Sequence, residues 1–122
     1  MNIHESAEDY LEEILMQCRQ NGSARSVDIA VHLGVSKPSV SFAMKKLREN
    51  GYILMGDDNR ITLTPAGESI AMRVLERHDL LCRMLMRLGV SEQTARADAC
   101  KMEHDLSDET FEAIRRHLHA VS

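Results

Sequence analysis

Six side chains that can bind divalent metal ions lie in three short segments of the chain. They are Asp9, Glu12, His78, Cys100, Glu103 and His104. The first two are three residues apart, and the last three stand at i, i+3 and i+4. Side chains at these spacings share one face of a helix, so each segment can present its ligands in one direction. A divalent cation bound by all three segments would connect distant parts of the chain.

The mixture of donors indicates which metals the site accepts. Carboxylates and imidazoles suit Mn²⁺ or Fe²⁺. The thiolate of Cys100 moves the preference toward Fe²⁺ and would also accept Co²⁺, Ni²⁺ or Zn²⁺. Cys82 follows His78 by one helical turn, so it is either an extra ligand or a buried residue. From the residues alone, each ligand candidate also has an alternative explanation. Asp9 and Glu12 could be first-turn acids favoured by the helix dipole. The Glu-His pair could be solvated surface, and Cys100 could be a core residue. The other histidines have no partner at a useful spacing; they are His4, His32, His117 and His119.

Between the first and the later ligands, the pattern is typical of a winged helix-turn-helix. It predicts a helix over 26–33, a tight turn at Gly34, a second helix from the cap Ser36 to about Glu49, and a hairpin over 52–64. The apolar positions expected to pack across the turn are Val27, Ile29, Ala30, Leu33, Val35, Val40 and Leu47.

Double-stranded DNA is the partner that this segment predicts, and its charge agrees. Residues 19–48 carry six basic groups against Asp28 alone, whereas residues 1–18 carry five acids and no base. The candidate DNA contacts are Arg25, Ser36, Lys37, Pro38, Ser39, Ser41, Lys45, Lys46 and Arg60. Phosphate contacts would supply most of the affinity and make it sensitive to salt. The alternative is an ordinary helical hairpin with a solvated basic face.

Composition favours packed helices in a reducing compartment. Hydrophobic residues make up 43% of the 122 residues, aromatic residues only 3%, and there are eight Met and no Trp. Three Cys, an odd number without a CxxC pair, argue against a disulfide framework. No apolar run reaches the length of a membrane span, and the N-terminus has no secretory signal. A cytoplasmic protein with no membrane partner is the expectation.

Further helices are expected on both sides of this segment. The pattern predicts a first helix over about 6–20 capped by Ser6, and a long helix from Pro65, capped by Thr64, past Leu88. Two more are predicted over about 92–104, capped by Ser91, and from the cap Ser107 to about 119. The expected fold is mainly α: a winged helix with a small β-hairpin over 1–72, then a helical metal-binding and dimerisation domain over 73–122.

Several segments together resemble the diphtheria-toxin-repressor and manganese-transport-regulator family. They are Ser6–Ile14, Val35–Ser41, Leu63–Gly67, Arg77–Leu81 and Cys100–Asp108. The resemblance covers nearly the whole chain, in order. It implies a homodimeric, metal-activated transcription factor that binds a palindromic operator, usually to repress metal-uptake genes. It also implies that the six ligand candidates match the family's metal ligands.

The ligand set is a hybrid of two types within that family. Asp9 and Glu12 match the manganese type, whereas Cys100 resembles the iron type, which has Cys there. At Cys82 and Arg96 the iron type has further ligands, which puts its second metal site in doubt here. Two other functions remain open: a winged-helix regulator that senses redox state through Cys82 and Cys100, and a metalloenzyme. Against the enzyme, no acid–base pair or nucleophile accompanies the ligands.

Overall fold

A computed structural model describes the backbone of residues 5–121 and the side chains of residues 7–119. This part of the chain forms six helices and one two-stranded antiparallel sheet, so the predicted mainly α fold with a hairpin is confirmed. The elements are α1 (Glu5–Asn21), α2 (Ser26–Leu33), α3 (Lys37–Glu49), β1 (Ile53–Met55), β2 (Ile61–Leu63), α4 (Pro65–Arg87), α5 (Glu92–Met102) and α6 (Asp108–Val121). They divide into two compact units, Met1–Arg73 and Val74–Ser122. His4 lies outside the described residues.

The first unit surrounds an apolar core supplied by α1, α2, α3 and the hairpin. Its fully buried large side chains are Leu11, Ile14, Ile29, Val40, Met44, Leu47, Ile53 and Ile61. The turn between α2 and α3 requires the left-handed backbone at Gly34 (φ 67°), a conformation that glycine adopts without steric cost. The helices on either side of this turn both contribute buried residues to the core.

Local capping fixes where α3 begins. The Ser36 hydroxyl accepts a hydrogen bond from the backbone N–H of Ser39 at 3.2 Å, as expected for an N-cap. Pro38 lies in the first turn, where its missing N–H has no helical partner in any case. Val40, Met44 and Leu47 form the buried face, Ala43 and Lys46 are half-buried, and the other positions of α3 are exposed.

The hairpin pairs Ile53 with Leu63 and Met55 with Ile61. An isolated β-bridge joins it to the segment between α1 and α2. In this bridge, the backbone N–H and C=O groups of Ala24 and Ile61 exchange hydrogen bonds of 2.8 Å. At the tip, Asn59 adopts the left-handed backbone (φ 62°), which asparagine tolerates better than most residues. The predicted wing is therefore present directly after α3.

Tight backbone packing links the start of α4 to the segment after α3. A Cβ atom at Gly67 would lie 2.0 Å from the carbonyl oxygen of Tyr52. Only glycine permits this approach. The Thr64 hydroxyl caps α4 by accepting from the backbone N–H of Gly67 at 3.2 Å, as predicted, and donates to the Gly51 carbonyl at 2.7 Å.

Several predicted positions were wrong. Val27 is 47% exposed rather than packed, because α2 buries only Ile29 and Ala30 in the core, and Val35, in the turn before α3, is 37% exposed. The first helix already includes Glu5, so Ser6 lies inside it and is not its cap. The long helix α4 ends at Arg87, before Leu88. The α5 helix ends at Met102 instead of 104.

The second unit packs the end of α4 with α5 and α6 around small apolar clusters. One contains Leu81, Cys82, Ala95 and Ala99, and the other contains Leu80, Phe111 and Leu118. The hydroxyls of Ser91 and Ser107 accept from backbone N–H groups three residues later, which confirms both predicted caps. Among the described residues, no helix is both long and apolar enough to cross a membrane.

Candidate metal centre and nucleic-acid interface

Three of the predicted ligands converge at the end of α5. One ligand atom each from Cys100, Glu103 and His104 lie within 4.8 Å of one another. Cys100 is in the last helical turns, Glu103 is the C-cap, and His104 lies in the turn that follows. The sequence placed all three on one helical face. The structure brings them together through the helix end and the turn instead.

Glu103 is the most unusual of these residues, because its side chain is only 1% exposed. One oxygen, Oε2, lies 3.6 Å from Nδ1 of His78, and the other, Oε1, lies 3.6 Å from Nε2 of His104. Both distances exceed a hydrogen bond, and neither oxygen has a hydrogen-bond partner among the described residues. A buried carboxylate in this condition is costly unless a positive charge compensates it.

The surrounding donors fit a divalent first-row metal. The imidazoles of His78 and His104 are 16% and 5% exposed, so both are largely withdrawn from solvent. His104, Glu103 and the exposed Cys100 offer nitrogen, oxygen and sulfur ligands within 4.8 Å of one another, and His78 lies beside Glu103. Such a set accepts Mn²⁺ or Fe²⁺ and also binds softer ions through the thiolate.

The sequence reasoning missed Arg77, which supports this turn. Its guanidinium donates to the backbone carbonyl of Glu103 at 3.3 Å and forms an ion pair with Asp108. It also lies 4.9 Å from the ring centroid of Phe111. The available signal was its position directly before His78, which places an arginine beside a candidate ligand.

Cys82 is a core residue in this structure. It is buried in the cluster with Leu81, Ala95 and Ala99, and its thiol contacts the Met86 sulfur at 4.0 Å. This favours the buried alternative over an extra ligand. It also weakens the redox hypothesis, since that hypothesis needs an accessible thiol at this position.

The two remaining ligand candidates, Asp9 and Glu12, belong to α1 in the first unit. Both are half-buried, and their spacing of three residues puts them on one side of α1. Neighbouring Tyr10 and Leu11 are buried, so they anchor this helix to the core of the unit. The two carboxylates are thus held on a well-packed helix.

The predicted DNA contacts on α3 are arranged as a polar, largely exposed surface. Ser36, Lys37, Pro38, Ser39, Ser41 and Lys45 are exposed, and Lys46 is half-buried. The hydroxyls of Ser36 and Ser39 are hydrogen bonded to each other at 2.8 Å, so they help to fix the start of the helix.

Two further predicted contacts, both arginines, lie at the margins of this surface. Arg25 is exposed at the N-cap of α2, and its backbone N–H donates to Gln17 at 3.4 Å. Arg60 at the wing is exposed, but its guanidinium pairs with Asp58 at 2.8 Å. The wing arginine is therefore partly neutralised by its own turn.

Sequence reasoning also passed over Phe42 on α3. Its side chain is 65% exposed, which is unusual for so large an apolar group. The Nζ atom of Lys46 lies 5.5 Å from the centroid of its ring. The signal was an aromatic residue two positions from each of the core residues Val40 and Met44, which places it on the opposite side of the helix.

An ion pair joins α1 to α2 in the first unit. Nδ1 of His32 lies 2.9 Å from Glu13. The hydrogen bond and the charge of Glu13, with a smaller contribution from Asp28, raise the pKa of His32.

Burial and the charge of Glu68 raise the pKa of Cys18 on α1, whose thiol lies 3.7 Å from the Ile61 carbonyl oxygen. This cysteine is half-buried.

Comparison with known sequences matches both units. Residues 2–58 match the profile described as "Iron dependent repressor, N-terminal DNA binding domain". Residues 64–122 match "Iron dependent repressor, metal binding and dimerisation domain". The transcriptional regulator MntR of Escherichia coli O6:H1 is 43% identical over 111 residues, covering 91% of this chain and 72% of that protein.

Solved structures give the same picture. The chain aligns with IdeR of T. acidophilum at a TM-score of 0.84 and 26% identity, over 92% of this chain and 53% of that one. A structure titled "Manganese-dependent transcriptional repressor complex with manganese" aligns at a TM-score of 0.83 and 30% identity, over 93% and 52% of the two chains. This chain thus spans about half the length of those proteins.

Proposed function

This chain belongs to the iron-dependent repressor family of metal-dependent transcriptional regulators, whose members are not enzymes, and we propose that it is a DNA-binding repressor controlled by Mn²⁺ or Fe²⁺. We assign DNA binding to residues 1–72, and metal binding and dimerisation to residues 73–122. Because its partner is operator DNA, we expect it to act in the cytoplasm.

One observation carries the metal-dependent part of the proposal. The carboxylate of Glu103 is buried, its two oxygens have no hydrogen-bond partner among the described residues, and imidazole nitrogens lie 3.6 Å from each of them. Polar groups in protein interiors are nearly always hydrogen bonded, so an exception calls for a function. A cation accounts for the unsatisfied oxygens and for the neighbouring nitrogen and sulfur donors together.

We propose that six residues hold the metal: Asp9, Glu12, His78, Cys100, Glu103 and His104. When bound, a divalent ion supplies the positive charge that offsets the carboxylates. Oxygen ligands from α1 favour Mn²⁺, whereas the thiolate of Cys100 favours Fe²⁺. The chain therefore combines the preferences of both metals in one site.

The role of Asp9 and Glu12 in this proposal is to couple metal binding to DNA binding. They are carried by α1, the helix that packs against α2 and α3 in the first unit. Ligation through α1 would make the helix-turn-helix sensitive to metal bound by the ligands of the second unit. Such coupling typically amounts to about 1–3 kcal/mol, or roughly 5–150-fold in DNA affinity.

The DNA-binding side of the proposal rests on α3 and its neighbours. A dimer would place two such helices in successive major grooves, roughly 34–36 Å apart, which matches a palindromic operator. The exposed lysines of α3 and Arg25 are suited to phosphates. The expected output is repression of metal-uptake genes when the metal is plentiful.

The proposal is tested by fluorescence anisotropy under anaerobic conditions. A random double-stranded DNA library is first enriched on the Mn²⁺-loaded protein, and the selected duplex is then titrated in chelator, Mn²⁺ and Fe²⁺. We expect about 5–150-fold tighter binding with metal. Equal affinity in chelator and in metal would refute metal control.

Two variants and a matched control identify the ligands. His104→Ala should remove the metal dependence, whereas His119→Ala, an exposed histidine on α6, should retain it. Cys100→Glu should shift the response toward Mn²⁺ relative to Fe²⁺. If His104→Ala responded to metal like the unchanged protein, the assigned site would be wrong.

A further inference from the structure

The outward side of α3 carries an apolar centre within a basic surround. Phe42 is 65% exposed, and Pro38, one turn earlier on the same side, is also exposed. Lys45 and Lys46 flank the ring three and four positions later. No acid lies in the first turn of the helix. This surface therefore combines positive charge with one large aromatic group.

The position of Phe42 excludes a role in the core of its own unit. Successive helical residues are separated by about 100°, so Phe42 is roughly 200° from both Val40 and Met44, which are buried. The ring lies on the side that a recognition helix turns toward the bases. An aromatic ring offers no hydrogen bond to base edges, but it can pack against the methyl group that thymine presents in the major groove.

Resting on the DNA-binding function proposed above, we infer that Phe42 is a specificity-determining residue that packs against the C5 methyl group of a thymine in each half-site. The lysines beside it bind phosphates of any sequence, since phosphate contacts carry no direct sequence information. Phe42 supplies discrimination between thymine and the other bases. Because this contact joins a ring to a methyl group, it does not depend on the hydrogen-bond donors and acceptors of the base edge.

The test replaces single thymines by deoxyuridine, which removes only the C5 methyl group. The metal-loaded full chain first selects duplexes from a random double-stranded library. Each thymine of the selected site is then changed in turn, and affinity is measured by anisotropy. At one position per half-site we expect a loss of about four-fold, as for burial of one methyl-sized group, and about 15-fold when both half-sites are changed.

Variants attribute that loss to a residue. In Phe42→Ala, the deoxyuridine penalty should disappear, and Phe42→Leu should retain part of it. Lys45→Ala, the matched control on the same helix, should bind all sequences more weakly but keep the full penalty. Because Phe42 is exposed, its variants should fold, which thermal unfolding verifies.

Three outcomes would overturn the inference. The first is a deoxyuridine penalty of equal size in the unchanged protein and in Phe42→Ala. The second is no penalty at any thymine, with identical sites selected by the unchanged protein and by Phe42→Ala, which would exclude the ring from base recognition. The third is a metal-loaded protein that enriches no duplex at all, a result that refutes the proposed function itself and is distinguished by the failure of the selection step.

Discussion

Two buried polar residues, Gln17 in the first unit and Glu103 in the second, are treated in different ways by their surroundings. Gln17 is 2% exposed, donates to Glu13 at 2.8 Å and accepts from the backbone N–H of Arg25 at 3.4 Å. Glu103 is 3% exposed, and its oxygens accept no hydrogen bond among the described residues. The amide of Gln17 therefore has hydrogen-bond partners, whereas the carboxylate of Glu103 has none among the described residues.

This difference separates a structural polar group from a candidate ligand. A buried amide with partners fixes how its neighbours pack and requires nothing from outside the protein. A buried carboxylate without hydrogen bonds requires a compensating charge. In the first unit, most of the candidate DNA contacts on α3 are exposed, as contact with a large anionic partner requires. In the second, Glu103 and the neighbouring imidazoles of His78 and His104 are largely withdrawn from solvent, whereas Cys100 at the rim of the candidate cation site is exposed.

The largest effect should follow from Glu103→Gln, which preserves shape but removes the charge. Metal affinity should fall at least about 100-fold, beyond the roughly 10–100-fold cost of altering residues that only support ligands. The measurement is the rise in Tm on addition of Mn²⁺, together with competition against a chelator. Glu109→Gln on the exposed start of α6 serves as the control and should keep the response. An unchanged metal response in Glu103→Gln would remove the basis for the contrast with Gln17.

A smaller effect is expected from Arg77→Ala, because this arginine holds the Glu103 turn without contributing a ligand atom. Loss of its hydrogen bond to the Glu103 carbonyl and of its ion pair with Asp108 should weaken metal binding by about 10-fold. Isothermal titration under anaerobic conditions would measure it. Arg83→Ala, an exposed arginine on the same helix, should have no effect. Equal metal affinities for Arg77→Ala and Arg83→Ala would mean that the turn at Glu103 keeps its shape without Arg77.

The converse substitution, Gln17→Ala, should affect folding and leave metal binding intact. Removal of the amide leaves the Arg25 N–H without this acceptor and should lower the free energy of unfolding by about 1 kcal/mol. Urea unfolding with and without Mn²⁺ would measure both properties. Gln20→Ala, an exposed position on α1, is the control. A lost metal response in Gln17→Ala would show that the two buried groups are not independent.

The smallest effect concerns pH and the exposed pair of His32 with Glu13. Since the pKa of His32 is raised in the folded state, the pair stabilises the protein fully below about pH 6.5 and loses that contribution as pH rises through the raised value. His32→Gln should remove this pH-dependent part of Tm. An NMR titration of the histidines measures the direction of the His32 pKa shift independently. A pKa at or below its usual value would contradict the prediction.

Local sequence signals predicted the elements well where capping and periodicity agree. Ser36, Thr64, Ser91 and Ser107 all cap helices as expected, because each side-chain oxygen satisfies a backbone N–H within its own turn. Burial of single residues was harder to predict. Val27 and Val35 are apolar but exposed, since burial depends on which neighbours the tertiary fold supplies.

The candidate site was predicted in part, for a similar reason. Ligand chemistry and spacing identified Cys100, Glu103 and His104, which the structure brings within 4.8 Å of one another. Spacing did not reveal that His104 lies beyond the end of α5, nor that Arg77 supports the turn through a backbone carbonyl. Contacts between an arginine and a main-chain oxygen across 26 positions leave no periodic trace in a sequence.

The pairing of Arg60 with Asp58 at the wing has a consequence for how DNA binding responds to salt. Affinity for DNA falls with rising salt in proportion to the number of condensed counterions that the protein displaces. A guanidinium partly neutralised by its own turn displaces fewer of them. The logarithmic dependence of affinity on ionic strength should therefore report the lysines of α3 and Arg25, with little contribution from the tip of the hairpin.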